Sequence, residues 1–405
     1  MTDLECWIWF AEMQSLRFRT RKTLLERFGS AKGIRFADRR ELELLPGLQM
    51  SERTALLDKD GAKVGTILRR CAEEDVRILT YQDAAYPERL RNIPDPPYVL
   101  YVRGTFPAVD AEPLIAVVGT RKSSPYGERM TRRIAGEIAR CGGTVVTGLA
   151  AGIDSCAAQG ALDAGGKVVG VLGVAINRVY PSWNGPLYAA VQANGALVSE
   201  YPPDAEGTKE WFPRRNRIIA ALSLGVVVPE APDRSGALIT ANRALDYGRD
   251  VFAVPANADS PKAGGSNRLL REGAILVRSG QDVMEEYRAL FPDRIHIVET
   301  PPEKAAQPEP ADKPEPAPEG KAFFRFREPN RKESPGGVLA DQLGTLTENQ
   351  LKLVSAMDNP SMHVDDLIDR TQLPASVVLS ELTILQIKGF VRQEQGKRFT
   401  LNITK

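Results

Sequence analysis

The sequence predicts an α/β protein built on a doubly wound, mostly parallel sheet, with a helical domain before it and a winged-helix domain after it. Three observations carry this expectation. From about residue 76 to 290, short apolar, β-branched runs alternate with helical segments, the pattern of a parallel sheet buried on both faces. The stretch 1–75 has helical periodicity and no strong strand runs. The stretch 345–405 reads helix, helix, helix, hairpin, beyond a segment dense in proline.

The 405 residues exceed one ordinary domain; at about 150 residues per domain, two to four units are expected. With 42% hydrophobic and 26% charged residues the composition is that of a soluble globular chain. The net charge of +1 points to no polyanion partner globally, so any nucleic-acid site must be a local patch. The opening MTDLECWIWFAEM lacks a basic region followed by an apolar run, so no signal peptide is expected. No apolar run reaches the roughly 18 residues of a membrane span, and no membrane partner is expected. Cys6, Cys71, Cys141 and Cys156 form no CxxC pair, and His296 and His363 are the two histidines. That composition offers no zinc cluster and no Ser/His/Asp set in the sheet domain. Scattered cysteines without a leader read as reduced thiols in the cytoplasm.

In the first stretch (1–75), Leu44-Leu45-Pro46-Gly47-Leu48 lies between two helical patterns. Such a turn either presents backbone N–H groups to a phosphate or belongs to a small helical interaction module of the SAM/helix-hairpin-helix type. The second stretch (76–290) offers strands at Ile115–Val118, Thr144–Thr147, Lys167–Leu172, Ala196–Ser199, Gly225–Val228, Val251–Val254 and Ala274–Val277. Sheets of this kind bind ligands at the carboxyl ends of their strands. The third stretch (299–337) holds seven prolines between Pro301 and Pro318 among Glu, Asp, Lys and Ala, a composition expected to stay an extended, disordered tether. In the fourth (345–405), helices fit from Thr347, over Val364–Arg370 and over Ala375–Lys388, with Gly389 as a stop. Strands fit Phe390–Gln393 and Arg398–Leu401, joined by Glu394–Lys397.

Neither a G-x-G-x-x-G after the first core strand nor a G-x-x-x-x-G-K-[ST] is present. Four segments could still hold an anion. After Val118 comes Gly119-Thr120-Arg121-Lys122-Ser123-Ser124 and then a helical run; a helix N-terminus with Arg121, Lys122 and Ser123 beside it suits a phosphate, the alternative being a capped helix with solvated cations. Gly148 and Gly152, in the loop ending at Asp154, permit close backbone approach, while Asp154 and Ser155 could simply cap the next helix. Lys209-Glu210-Trp211-Phe212-Pro213-Arg214-Arg215-Asn216-Arg217 reads as a basic loop with two aromatics. Cations for phosphates beside aromatic faces for bases are what single-strand binders combine; at least one of the two rings is expected to be structural. Glu230 to Thr240 follows a strand and opens a helix at Ser235-Gly236. Glu230 would repel a phosphate, so it is expected to orient Arg217 or another cation.

Taken together, Tyr86-Pro87 through Arg103-Gly104, Val118–Arg121, Thr147–Asp154, Phe212–Ala220 and Ser235–Thr240 resemble the DprA/Smf family of DNA-processing proteins over about residues 81–280. The resemblance implies an extended Rossmann-like domain that binds single-stranded DNA, forms a homodimer, and loads a RecA-type recombinase during natural transformation (competence), with a single-strand-binding protein as a further partner. It implies no enzyme and no cofactor. It implies phosphate contacts at Arg121, Ser123 and Lys209, base stacking at Phe212, and Arg215 and Arg217 lining the same pocket; Lys122, Gly148, Asn216, Ser235 and Gly236 complete the expected DNA-binding set. The sequence departs from the family pattern at Ala175 and Asn177, where glycine and aspartate are usual, at Pro229 and at Ala256.

Two other functions compete. A Rossmann-like enzyme acting on nucleoside monophosphates would need a carboxylate near a Gly-Gly-x-Gly-Thr loop, where this chain has Arg234-Ser235-Gly236-Ala237-Leu238. A transcription factor working through residues 339–405 would need phosphate-neutralising charge, yet that stretch carries eight acids against seven Lys and Arg. The third helix there has Glu381 and no cation before Lys388, which favours contact with protein.

Overall fold

A computed structural model describes residues 1–297, 346–357, 362–388, 390–394 and 398–401. The expected Pro-rich tether at 299–337, the stop at Gly389 and most of the Glu394–Lys397 connection lie outside the described residues. The chain forms two compact units, dividing after Gln307.

The first unit opens with six helices: α1 (Asp3–Glu12), α2 (Phe18–Phe28), α3 (Ala31–Phe36), α4 (Arg39–Glu43), α5 (Met50–Leu57) and α6 (Ala62–Glu73). Gly47 makes the turn between α4 and α5 with φ +76°, a left-handed conformation that favours glycine. The Arg17 guanidinium grips the Gly47 carbonyl at 2.8 Å, so this turn is held from within the protein.

A nine-stranded sheet follows, in order β1-β2-β6-β5-β4-β3-β7-β8-β9. Its strands are β1 (Arg77–Thr80), β2 (Val99–Gly104), β3 (Leu114–Val117), β4 (Thr144–Thr147), β5 (Val168–Leu172), β6 (Gly195–Ser199), β7 (Gly225–Val228), β8 (Asp250–Ala253) and β9 (Ile275–Leu276). The seven expected strands are present to within a residue or two. The first two were not expected. They add an antiparallel edge, β1 on β2 and β2 on β6. β1 is four residues long with only half of its pattern buried, and β2 begins two residues after Pro96-Pro97.

The helices between these strands are α7 (Glu88–Arg91), α8 (Pro125–Arg140), α9 (Ile153–Asp163), α10 (Gly185–Ala193), α11 (Trp211–Leu222), α12 (Gly236–Asp246), α13 (Gly264–Arg271) and α14 (Gly280–Glu285). Alternation along each strand feeds two cores. Ile115 and Val117 of β3 join the core that takes Ile134 and Ile138 of α8 and Ala157 and Ala161 of α9. Leu114, Ala116 and Val118 join the opposite core, with Ile218 and Leu222 of α11 and Ala241 and Ala244 of α12. Each fully buried aliphatic of this kind contributes about 1.5–3 kcal/mol. The first core is continuous with the N-terminal helices through Trp7, Phe10, Val99 and Tyr101. The chain therefore winds β3 to β6 outward along one face, then crosses back to place β7 beside β3. That reversal is the switch point of a doubly wound sheet, where strand ends splay and open a crevice.

In the second unit, Thr347 caps α15 (Glu348–Ala356) through a reciprocal box with Gln350. After it come β10 (Met362–His363), α16 (Val364–Thr371), α17 (Ala375–Ile387), β11 (Val391–Glu394) and β12 (Arg398–Leu401). β10 turns the expected hairpin into a three-stranded wing, β10-β12-β11. Glu381 of α17 accepts from Gln350 Nε2 at 2.7 Å, so its carboxylate is engaged inside the unit.

Candidate nucleic-acid interface

At the switch point the loops after β3, β4 and β7 and one face of α11 enclose a cleft of about 300 Å³. Among its lining residues are three arginines, Arg121, Arg215 and Arg234, against one carboxylate, Asp154. The geometry of each wall follows from local sequence.

α11 is a correction to the expected basic loop. Trp211 to Leu222 is helical, and Pro213 is tolerated because it sits in the first turn, where backbone N–H groups have no intrahelical partner. The helix sorts the segment by face. Phe212, Arg215, Asn216 and Ile219, spaced i, i+3, i+4, i+7, share the cleft side. Arg217, two residues and about 200° away from Arg215, points out of the cleft. It is buried, bound to both Glu200 oxygens at 2.6 and 2.7 Å, with Asp95 at 3.4 Å from its Nε. The implied pocket shared by Arg215 and Arg217 is thus split: Arg215 lines it and Arg217 is part of the core. Trp211 is buried and stacked on Tyr201 at 3.5 Å, so it is the structural aromatic of the pair.

Phe212 is half-buried at the cleft wall. The Arg121 guanidinium lies 5.2 Å from its ring centroid, and the Tyr180 ring, tilted by 49°, has its centroid 5.0 Å away. Arg121 itself is exposed. A cation thus rests on an aromatic ring at the edge of the cleft, with Arg121 exposed and Phe212 half-buried.

The floor is rigid. Gly148 follows β4 at a position where a Cβ would collide with Arg215 and Asp154. Arg215 Nη1 donates to the carbonyls of Gly148, at 2.9 Å, and Val171. Asp154 accepts from Gly119 N at 3.3 Å and Gly148 N at 3.1 Å, tying the loops after β3 and β4 together. Burial pushes the Asp154 carboxyl up, with Arg215 and the backbone amides opposing; burial pushes the Arg215 guanidinium down, with Asp154 opposing. Asp154 is therefore a fastener between loops, with both oxygens engaged by backbone. Asn216 accepts from Arg215 Nε at 3.3 Å and donates to the Gly236 carbonyl at 3.2 Å, joining α11 to the start of α12. Ser235 caps α12, whose first turn faces the cleft through Ser235, Gly236 and Ala237.

One expectation needs correction. Glu230 does not orient Arg217. It accepts from Ser124 N at 2.7 Å and from Ser124 Oγ at 2.5 Å, while Ser124 Oγ accepts from Gly127 N at 3.0 Å. A carboxylate thus already occupies the positive end of α8, which leaves Arg121 as the cation of this loop that lines the cleft. The other residues named from sequence are dispersed. Lys122 and Lys209 are exposed outside the cleft lining. Ser123 Oγ donates to Glu128 at 2.7 Å. Arg234 and Tyr180 were not singled out; Arg234 was legible as a cation directly before the α12 cap.

The departures from the family pattern have local causes or remain local. Asn177 Nδ2 donates to Glu74 and Asp204, both at 2.9 Å, and Asn177 Oδ1 accepts from Asp204 N at 3.0 Å. An aspartate here would face two carboxylates, so the amide suits these neighbours. Asn177→Asp is expected to lose about 1–2 kcal/mol, read as a lower urea midpoint at neutral pH that recovers on acidification; an unchanged midpoint would reject this account. Ala256 is bracketed by the Asn267 amide, which accepts from its N and donates to its carbonyl, each at 3.2 Å. Ala175 and Pro229 are buried. Nothing in the structure explains the choice of either residue.

An open, doubly wound α/β sheet with a cationic, aromatic-walled cleft at its switch point, and no dinucleotide loop, defines a Rossmann-like protein. Its relatives make the assignment specific. The model of DNA recombination-mediator protein A matches residues 77–288, and that of the DprA winged helix domain matches 339–397. The chain is 33% identical to Protein Smf of Synechocystis over 334 residues, covering 81% of this chain and 80% of that one. It is 37% identical to DNA processing protein DprA of Bacillus subtilis over 224 residues, 55% of this chain and 75% of the other. The crystal structure of DNA processing protein A from Streptococcus pneumoniae superposes with TM-score 0.62 at 32% identity, covering 71% of this chain and 98% of that one. The chain belongs to the DNA recombination-mediator protein A (DprA/Smf) family. No described helix is long and apolar enough to cross a membrane.

Proposed function

We propose that this chain binds single-stranded DNA across the switch-point cleft and delivers it to a RecA-type recombinase in DNA recombination and natural transformation. Arg121 and Arg234 hold phosphates, Phe212 stacks on a base, and Arg215, Asn216, Gly148, Ser235 and Gly236 shape the cleft between them. The observation that carries this reading is the Arg121–Phe212 pair, cation on ring, at the open mouth of the cleft. A duplex hides its base faces and cannot use Phe212; a single strand can. The protein acts in the cytoplasm as a homodimer, without catalysis, alongside single-strand-binding protein.

Matched single- and double-stranded oligonucleotides titrated across a salt series test the reading. Single strands are expected to bind tighter with little sequence dependence, and log affinity to fall with log salt by about 0.7 per phosphate neutralised. Equal affinity for both forms at moderate salt would overturn it. Recombinase delivery is tested separately, by whether the chain speeds RecA assembly on strands coated with single-strand-binding protein.

A further inference from the structure

The loop between β5 and α10 leaves Val179, Tyr180 and Trp183 in solvent, at 39%, 46% and 73% exposure. Neighbouring exposed apolar side chains mark interaction surfaces. This loop is anchored. Pro181 and Asn184, on either side of Trp183, are buried. Asn184 Nδ2 donates to the Leu149 carbonyl and to Ser155 Oγ, both at 3.0 Å, and the Tyr188 hydroxyl donates to the Tyr180 carbonyl at 3.0 Å. In sequence, Trp183 is thereby bracketed by two anchored residues: Tyr180, whose ring meets Phe212 of the cleft, and Asn184, bonded to the residue before Ala150 of the cleft lining. The other tryptophans, Trp7, Trp9 and Trp211, are all buried.

We propose that Trp183 is a second base-stacking platform, carrying a bound single strand from Phe212 past Tyr180 and out along this loop. The proposal rests on the reading of the cleft as a single-strand site. An indole face accepts any base, and Arg178, exposed at the start of the loop, supplies a cation for the intervening backbone. The occupant is an unpaired base because the loop that carries Trp183 meets the cleft through Tyr180 on Phe212, whose ring also carries Arg121, and because Trp183, three residues beyond Tyr180, stands in solvent.

The test uses the full chain and oligothymidylate of increasing length. Binding is expected to change the tryptophan emission of the unaltered chain but not of Trp183→Phe, since Trp183 is the exposed indole. Trp183→Ala should weaken binding of the longer oligomers by about fivefold or more, the low end of one base stack. The salt slope should stay unchanged, and Trp183→Phe should restore most of the affinity. An unchanged affinity in Trp183→Ala, or an emission change in Trp183→Phe as large as in the unaltered chain, would overturn the platform while leaving the cleft reading intact. If the unaltered chain binds no oligothymidylate, the cleft reading fails and the platform with it. Because Trp183 is solvent-exposed, both variants should melt with the unaltered chain.

Discussion

Arg217→Ala is expected to destabilise the sheet-bearing unit by roughly 3–5 kcal/mol, the usual cost of leaving one member of a buried ion pair alone. Arg217 and Glu200 expose 5% and 14% of their side chains, and the guanidinium meets both Glu200 oxygens and Asp95. Burial alone would raise the Glu200 carboxyl, but Arg217 and Arg214 more than reverse this and hold it below its usual value of 4.5. The sign of the pH dependence follows. A carboxylate depressed in the folded state stabilises fully above its unfolded value, and that contribution is lost as pH falls from about 4.5 through the lower folded value. Arg217→Ala should therefore lower the urea midpoint at pH 7 and flatten the loss of stability below about pH 4.5. Changing both partners to methionine should cost much less than either single change, because no charge is then left buried. If Arg217→Ala unfolds like the unaltered chain but loses affinity for single strands, Arg217 serves the ligand rather than the core.

Arg217 also marks where sequence stops being informative. The parallel strands were legible because a strand buried on both faces must be apolar along its whole length, as Val168–Leu172 is. The first C-terminal helix was legible because Thr347, a capping residue type, stands where it begins, and the structure closes the cap as a box with Gln350. α11 was hidden because Trp-Phe-Pro-Arg-Arg carries proline and charge where a helix begins, and the face assignment of its two buried arginines changes entirely once it is helical. The partner of Glu230 was hidden for another reason: Ser124 lies 106 residues away, and only the sheet's return crossing brings β7 beside β3. Tyr180 reaches Phe212 through the same kind of long-range closure. The cleft's chemistry was thus visible residue by residue, while its membership was set by tertiary geometry.

The contacts within the cleft should separate by their response to salt. Arg121 is argued to hold a phosphate, so Arg121→Ala should weaken single-strand binding and make the log–log salt slope shallower by about 0.7, one released counterion contact. Phe212 is argued to stack on a base, which releases no counterion. Phe212→Ala should cost roughly 1–3 kcal/mol of binding and leave the slope nearly unchanged. The two are not independent, since the guanidinium rests 5.2 Å from the ring. Removing the ring also frees Arg121 from its seat, so the double variant should lose less than the sum of the single losses. Phe212 is half-buried against Tyr180 and Gly173, so thermal melts must show the variant folded before affinity is compared. If binding loss in Phe212→Ala tracks the unfolded fraction, the ring is a packing residue. If Arg121→Ala leaves affinity and slope untouched, the phosphate path runs elsewhere, with Arg234 at the mouth of α12 the next residue to change.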